Sequence, residues 1–343
     1  MEISKKLFDL ISSATSGNTA IMMIISVISL IAGFVMLIKG ADMFVDGASK
    51  VAAKLKVPLI VIGLTIVAFG TSAPEAAISI NSAVQDNAGI AVGNVIGSNI
   101  LNILLILGIS ALFTSVPVKK TTLRYEIPFV FIISVVLLVL GIIGGTIGKL
   151  DSAILLVLFV AFFIYLILLS KKGESDADDD VPALTEKDTA LKMIIFIIIG
   201  LVAIVLGSDF TVTGATAIAE ALNVEARIIG LTIVAFGTSL PELVTSVTAA
   251  KKHQADIAIG NIVGSNIFNI LLVIGLAGVF SPNPIRFEES FIIDAIVAIA
   301  AALILWLLVL RNKKIQKAGG IVMLCCYAVY FVYLLIQPAL LAA

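Results

Sequence analysis

The ten residues GLTIVAFGTS at 63–72 return letter for letter at 230–239. Around them, Gly63–Ile109 aligns without a gap on Gly230–Leu276 at a constant offset of 167, with 28 identities in 47 positions. In both copies one variable residue and then Pro-Glu follow, and the pattern GN..GSNI.NILL begins at Gly93 and again at Gly260. Upstream, the same offset relates Gly40-Ala41-Asp42 to Gly207-Ser208-Asp209, and Gly47-Ala48 to Gly214-Ala215. Unrelated apolar segments share composition but do not match polar residues position by position, so this is an internal duplication. The chain must fold as two related halves.

Those halves belong in a membrane. Of 343 residues, 60% are hydrophobic and 13% charged, with a mean hydropathy of +1.17; a soluble domain is about 45–50% apolar and about 25% charged. The balance of 22 Lys+Arg against 23 Asp+Glu also argues against a nucleic-acid surface. A helix needs about 20 mainly apolar residues to cross a bilayer. Apolar runs between polar punctuation give ten spans, near 20–48, 58–83, 88–114, 125–145, 151–170, 191–221, 227–250, 255–280, 289–310 and 318–340. Runs this long are not barrel strands, so the expected fold is an all-α integral membrane protein. Residues 1–18, with Lys5 and Lys6 but no convincing small-residue cleavage pattern, read as a short extramembrane segment. Residues 19–170 form the first five-helix repeat, 171–190 an acidic linker, and 191–343 the second repeat.

Five spans per half means that the second copy enters the membrane upside down, the inverted-repeat architecture of secondary transporters. Sixteen basic residues fall on one side, among them Lys54, Lys119, Arg124, Lys171, Lys252 and Arg311. Five fall on the other: Lys5, Lys6, Lys149, Arg227 and Arg286. The positive-inside rule then places both termini outside the cytoplasm of a plasma membrane and the linker, with Asp178-Asp179-Asp180, inside as a solvated hinge. Cys325 and Cys326, the only cysteines, read as packing residues, and His253 as part of a solvated turn.

Glu75 and Glu242 lie deep in apolar spans with no Lys or Arg at comparable depth. A bare carboxylate there costs at least a few kcal/mol, so a proton or a bound cation must compensate it. Around them, Gly70-Thr71-Ser72-Ala73-Pro74-Glu75 and Gly237-Thr238-Ser239-Leu240-Pro241-Glu242 offer hydroxyl and carboxylate oxygens. Each proline is expected to break or kink its helix, freeing carbonyls near Ala68 and Ala235. Hard cations such as sodium and calcium want this all-oxygen donor set. In the next span Ser98 and Asn102, and likewise Ser265 and Asn269, stand four apart on one helix face. Asn99 and Asn266 read equally well as ligands or as helix-to-helix glue. Asp42 and Asp209 suit capping or gating better than ligation.

At these residues the chain resembles the calcium/cation antiporter superfamily: GTS-x-PE and GN-xx-GSN-x-xN, each present twice, are similar to that family's two alpha-repeats. The resemblance, to the prokaryotic sodium/calcium exchanger type, implies two inverted five-helix halves with ion sites among the second, third, seventh and eighth helices. It implies Glu75 and Glu242 as central calcium-binding carboxylates. Thr71, Ser72, Ser98, Thr238, Ser239 and Ser265 would be flanking sodium and calcium ligands, with carbonyls from Ala68 and Ala235. Proton-coupled members usually carry a GN-type turn where this chain has GTS. Potassium-dependent members have Asp where this chain has Asn269, although some prokaryotic sodium/calcium exchangers also carry an acid there.

The reading is therefore a secondary active antiporter exchanging calcium for sodium by alternating access. It would be electrogenic, work without a cofactor and be able to act as a monomer. Proton/calcium exchange is the alternative, because a buried Glu can itself carry protons. A channel is disfavoured because one chain with inverted halves suits two alternating states rather than a continuous pore. An intramembrane hydrolase is disfavoured because the single His leaves no His-based nucleophile pair and no paired-aspartate motif appears.

Overall fold

The computed structural model describes residue 6 and residues 19–85, 88–172, 182–185, 188–222 and 235–341. The described chain is helical apart from two short ribbons. The spans are α1 (Thr19–Leu55), α2 (Leu59–Val84), α3 (Gly89–Phe113), α4 (Thr122–Ile142), α5 (Lys149–Lys172), α6 (Ala190–Ala221), α8 (Ala255–Phe280), α9 (Glu289–Asn312) and α10 (Lys317–Leu341). Between α6 and α8, the described part of the expected seventh span is α7, which runs as Ala235–Thr238 and Leu240–Lys251. The stretch 227–234 lies outside the described residues, as does most of the acidic linker. At the linker's end Asp188 pairs with Lys50 of α1 at 2.9 Å, and its carboxylate accepts from the Thr185 hydroxyl at 2.7 Å.

Glycine spacing explains how α1 and α6 pack. Gly33, Gly40 and Gly47 recur every seven residues in α1, and Gly200, Gly207 and Gly214 do the same in α6. A Cβ on Gly40 would lie 2.8 Å from the Gly200 carbonyl, and one on Gly207 2.8 Å from the Gly33 carbonyl. The order is reversed between the helices, so they run antiparallel along a seam that only a missing side chain can close. Their outer faces expose Ile24, Ile28, Ile31, Ile198 and Val202, as contact with lipid requires. The interior is built from α2, α3 and α8, the most enclosed spans among the described residues. There Gly63 of α2 crosses Gly260 of α8 so closely that a Cβ on Gly260 would meet the Gly63 Cα at 2.9 Å.

The two ribbons relate the ends of the halves. β1 (Val116–Pro117, after α3) pairs antiparallel with β4 (Lys314–Ile315, after α9), and β2 (Thr146–Ile147, after α4) pairs with β3 (Ile285–Arg286, after α8). Adding 167 carries β1 to the edge of β3 and β2 to β4, so the duplication exchanges one ribbon for the other.

Proline behaves differently in the two copies. The first does not break at Pro74: Ala68–Val84 is one continuous α-helix, preceded by a π-helical turn at Gly63–Val67. Pro74 deprives the Gly70 carbonyl of its helical partner, yet the helix runs on through it. In the second copy Ser239, at φ −96° and ψ 6°, interrupts the helix, and Pro241 falls in the first turn of the segment that follows. The carbonyl deprived by a proline belongs to the residue four earlier, here Gly237 rather than Ala235. The Ser208 hydroxyl takes it at 2.7 Å. The first half has Ala41 at the position of Ser208 and no hydroxyl to offer.

Candidate functional site

Glu75 and Glu242 are both fully enclosed and near enough to interact electrostatically. Each is held by a hydroxyl from the opposite half. Ser239 donates to Glu75 Oε1 at 3.1 Å, and Ser72 donates to Glu242 Oε1 at 3.0 Å. Ser98 adds a second donor to Glu75 Oε1 at 3.3 Å. Among the described residues the remaining oxygens, Glu75 Oε2 and Glu242 Oε2, have no hydrogen-bond partner, and neither has the buried Ser265 hydroxyl. Two buried carboxylates with open lone pairs call for a bound cation or a proton, because leaving such charge uncompensated is costly.

The asparagines form a closed ring across α3 and α8. The Asn99 amide donates to the Asn266 carbonyl and the Asn266 amide to the Asn99 carbonyl, each at 3.2 Å. A backbone carbonyl only accepts, so these bonds fix which end of each amide is nitrogen. Asn99 Oδ1 then accepts from Asn269 Nδ2 at 3.2 Å, and Asn266 Oδ1 from Asn102 Nδ2 at 3.1 Å. Asn102 Oδ1 and Asn269 Oδ1 are left buried and unpartnered. The structure thus separates the asparagines into a clamping pair, Asn99 and Asn266, and a pair with open oxygens, Asn102 and Asn269. Both open asparagines sit where the helices widen into π-helical turns, at Leu101–Leu107 and Phe268–Val273. Such turns recur at functional sites.

Two further asparagines, within the GN-xx-GSN patterns but given no role by the sequence, hold the site together. Asn261 accepts from Thr71 at 3.0 Å and donates to Ser246 at 2.9 Å. Asn94 donates to Ser79 at 2.9 Å. Their signal was the repeated Asn in each copy, together with the repeated Ser79 and Ser246. The Ala68 carbonyl accepts the Thr71 hydroxyl at 3.4 Å, and Ala235 opens α7. Thr238 lines a cavity of about 290 Å³ with Pro74, Ser208, Asp209 and Pro241. Asp209 thus lies on the wall of a cavity beside the site. Its repeat partner Asp42 is tied to Lys252 at 2.7 Å. His253 lies in an exposed turn at φ 59°, and both cysteines are free thiols.

Nine of the twelve expected ligand positions thus lie in hydrogen-bonded groups about Glu75, about Glu242 and among the asparagines, and Thr238 lines the neighbouring cavity; among the described residues Ala235 and Ser265 make no bond in these groups. A model of the family described as sodium/calcium exchanger protein matches residues 25–168 and 192–336, one stretch in each half. The chain is 34% identical to the sodium/calcium exchanger MaX1 of Methanosarcina acetivorans over 349 residues, covering 91% of this chain and 99% of that one. It is also 34% identical to the inner membrane protein YrbG of Escherichia coli, covering 83% and 90%. Among solved structures, the sodium-calcium exchanger NCX_Mj, soaked with zero Na+ and Ca2+, superposes with a TM-score of 0.78. It is 33% identical, over 91% of this chain and 99% of that one. The match runs through both repeats and both buried glutamates, and the chain belongs to the sodium/calcium exchanger protein family.

Proposed function

We propose that the protein exchanges calcium for sodium across a membrane by alternating access at the Glu75–Glu242 site. The observation that carries this reading is the set of five buried oxygens without protein partners: Glu75 Oε2, Glu242 Oε2, Ser265 Oγ, Asn102 Oδ1 and Asn269 Oδ1. Calcium takes about six to eight oxygen ligands, and this set with neighbouring hydroxyls and the carbonyls of Ala68 and Ala235 supplies them. Sodium takes the same kind of donor, so Thr71, Ser72, Ser98, Thr238 and Ser239 serve both ions. Two carboxylates balance one calcium, whereas a larger sodium load leaves net positive charge, so exchange is electrogenic. Sodium rather than proton coupling is supported by the GTS turn and by relatives and solved structures named as sodium/calcium exchangers.

The ribbons support two inverted halves. β1 with β4, and β2 with β3, each join connections at one membrane face, which requires an even number of crossings between them. Between β1 and β4 lie α4, α5, α6, α8 and α9, and α7 supplies the sixth crossing. The glycine seam lets α1 and α6 sit across the outside of the site, and the Asp42–Lys252 pair ties α1 to the end of α7 on the side of the basic loops. Asp209 holds no equivalent lysine in its repeat, because Gln85 stands where Lys252 does. We read the pair as a gate contact closing the cytoplasmic side.

The test is calcium uptake into sealed proteoliposomes loaded with sodium. An outward sodium gradient should drive accumulation, an imposed membrane potential should change its rate, and a pH gradient alone should drive none. Uptake driven by the pH gradient and indifferent to sodium would sink the proposal.

A further inference from the structure

Glu126 lies one turn into α4 and is 1% exposed, yet it belongs to neither repeat motif. The Tyr165 hydroxyl of α5 donates to its Oε1, while Oε2 has no partner. This carboxyl lines a cavity of about 360 Å³ between α4 and α5, walled by Tyr125, Phe129, Phe162 and Tyr165. Phe129 and Phe162 stack with centroids 5.4 Å apart. From there the cavity continues past Ile132 and Leu158, and Ile132 is 53% exposed on the face that meets lipid. At the rim, exposed Arg124 lies over the Tyr125 ring and has no carboxylate partner among the described residues.

Each part of this cavity selects a part of a ligand. A hard metal ion would find a single open carboxylate oxygen among aromatic walls, too few donors for sodium or calcium. An organic ammonium is satisfied by the carboxylate together with aromatic faces. The open Oε2 accepts hydrogen bonds, so a primary ammonium, which donates them, is favoured over a trimethylammonium, which can meet only the charge and the aromatic faces. Arg124 suits a phosphate next to that ammonium. The run from Arg124 to Ile132 rises about 12 Å along the helix, and its lipid-facing apolar surface suits an acyl chain. We propose that this cavity binds a phospholipid with a primary-ammonium headgroup, the ammonium on Glu126, the phosphate at Arg124 and a chain along Ile132 and Leu158.

The second half holds only a shifted relative of the Glu126–Tyr165 pair: the Tyr330 hydroxyl of α10 donates to Asp294 Oδ1 of α9 at 3.0 Å. The offset of 167 puts Phe291, Ile293 and Val332 at the positions of Arg124, Glu126 and Tyr165. Neither pair belongs to the duplicated glutamate motifs, so occupancy of the α4–α5 cavity can be read without measuring transport.

The experiment uses the purified full-length protein in nanodiscs holding phosphatidylethanolamine and phosphatidylcholine in equal amounts, with the retained lipid measured by native mass spectrometry. Phosphatidylethanolamine should be enriched in the native protein, and Glu126→Gln should weaken its retention about tenfold or more, as loss of a charged hydrogen bond does. Arg124→Gln should weaken it severalfold. Ala161→Trp, which fills the cavity from its exposed side and leaves the Glu126 carboxyl chemically intact, should abolish the enrichment even if Glu126→Gln does not fold. Equal retention of the two lipids, or enrichment undiminished in Ala161→Trp, would overturn the proposal. So would preferential retention of phosphatidylglycerol, which lacks an amine, when that lipid is added. Displacement by a long-chain alkylammonium with no dependence on Arg124 would overturn the phospholipid assignment in favour of a simple organic cation.

Discussion

Replacing Glu242 by Gln tests the ion site with little disturbance of its frame. Ser72 donates to Oε1 at 3.0 Å, and a glutamine keeps that acceptor. The new NH2 replaces Oε2, which has no protein partner. The structural cost is a buried NH2 group whose two N–H donors lack partners, about 1–3 kcal/mol for each donor, offset by removal of a buried charge that was itself costly. The unfolding temperature without ions should therefore shift little. Binding of a divalent ion loses one of its two compensating charges, and breaking a buried ion pair costs about 3–5 kcal/mol. At about 1.4 kcal/mol per tenfold, calcium should bind roughly a hundred to several thousand times more weakly. Two measurements check this: sodium-driven uptake of radioactive calcium into proteoliposomes, and the rise in unfolding temperature on adding calcium. Both should collapse in Glu242→Gln and equally in Glu75→Gln. Uptake within tenfold of native at subsaturating calcium, in a variant that folds normally, would refute the assignment of the carboxylates as the calcium's counter-charge.

Native exchange should proceed fully with potassium absent from both sides, since the amides of Asn102 and Asn269 add no charge to recruit a second cation. Asn269→Asp, altering a buried amide oxygen without a partner among the described residues, should change the monovalent-ion dependence of flux. Asn99→Asp removes the donor to the Asn266 carbonyl and should instead lower thermal stability by about 1–3 kcal/mol; equal flux effects of the two would remove the distinction between ligand and clamp. Gly260→Ala places a Cβ 2.9 Å from the Gly63 Cα and should lower thermal stability by about 1–3 kcal/mol; an unchanged unfolding temperature would contradict the close crossing of α2 and α8. A cysteine at Ser175, in the linker outside the described residues, should resist an impermeant thiol reagent applied to intact cells. Labelling from outside would reverse the predicted orientation.

By itself the sequence determined the membrane class, the duplication and the two buried glutamates around which the candidate site is drawn. Those follow from local chemistry: span length, polar residues kept at a fixed offset, and carboxylates stranded in apolar runs. It could not decide what each oxygen faces. Asn99 and Asn102 are three residues apart with the same side chain, yet one clamps a neighbouring backbone and the other presents an open oxygen, because the crossing of α3 and α8 puts a carbonyl within reach of only one. Nor could it decide how proline acts. Pro74 and Pro241 share their sequence setting, but the first stays inside a helix while the second follows an interruption at Ser239, and Ser208 reaches across from α6 to take the carbonyl that Pro241 deprives. The linking of Ser72 to Glu242 and of Ser239 to Glu75 is likewise a contact between halves 170 and 164 residues apart. Composition and periodicity report what one segment prefers; only the packing of segments against one another decides which of its polar atoms are satisfied and which remain open for an ion.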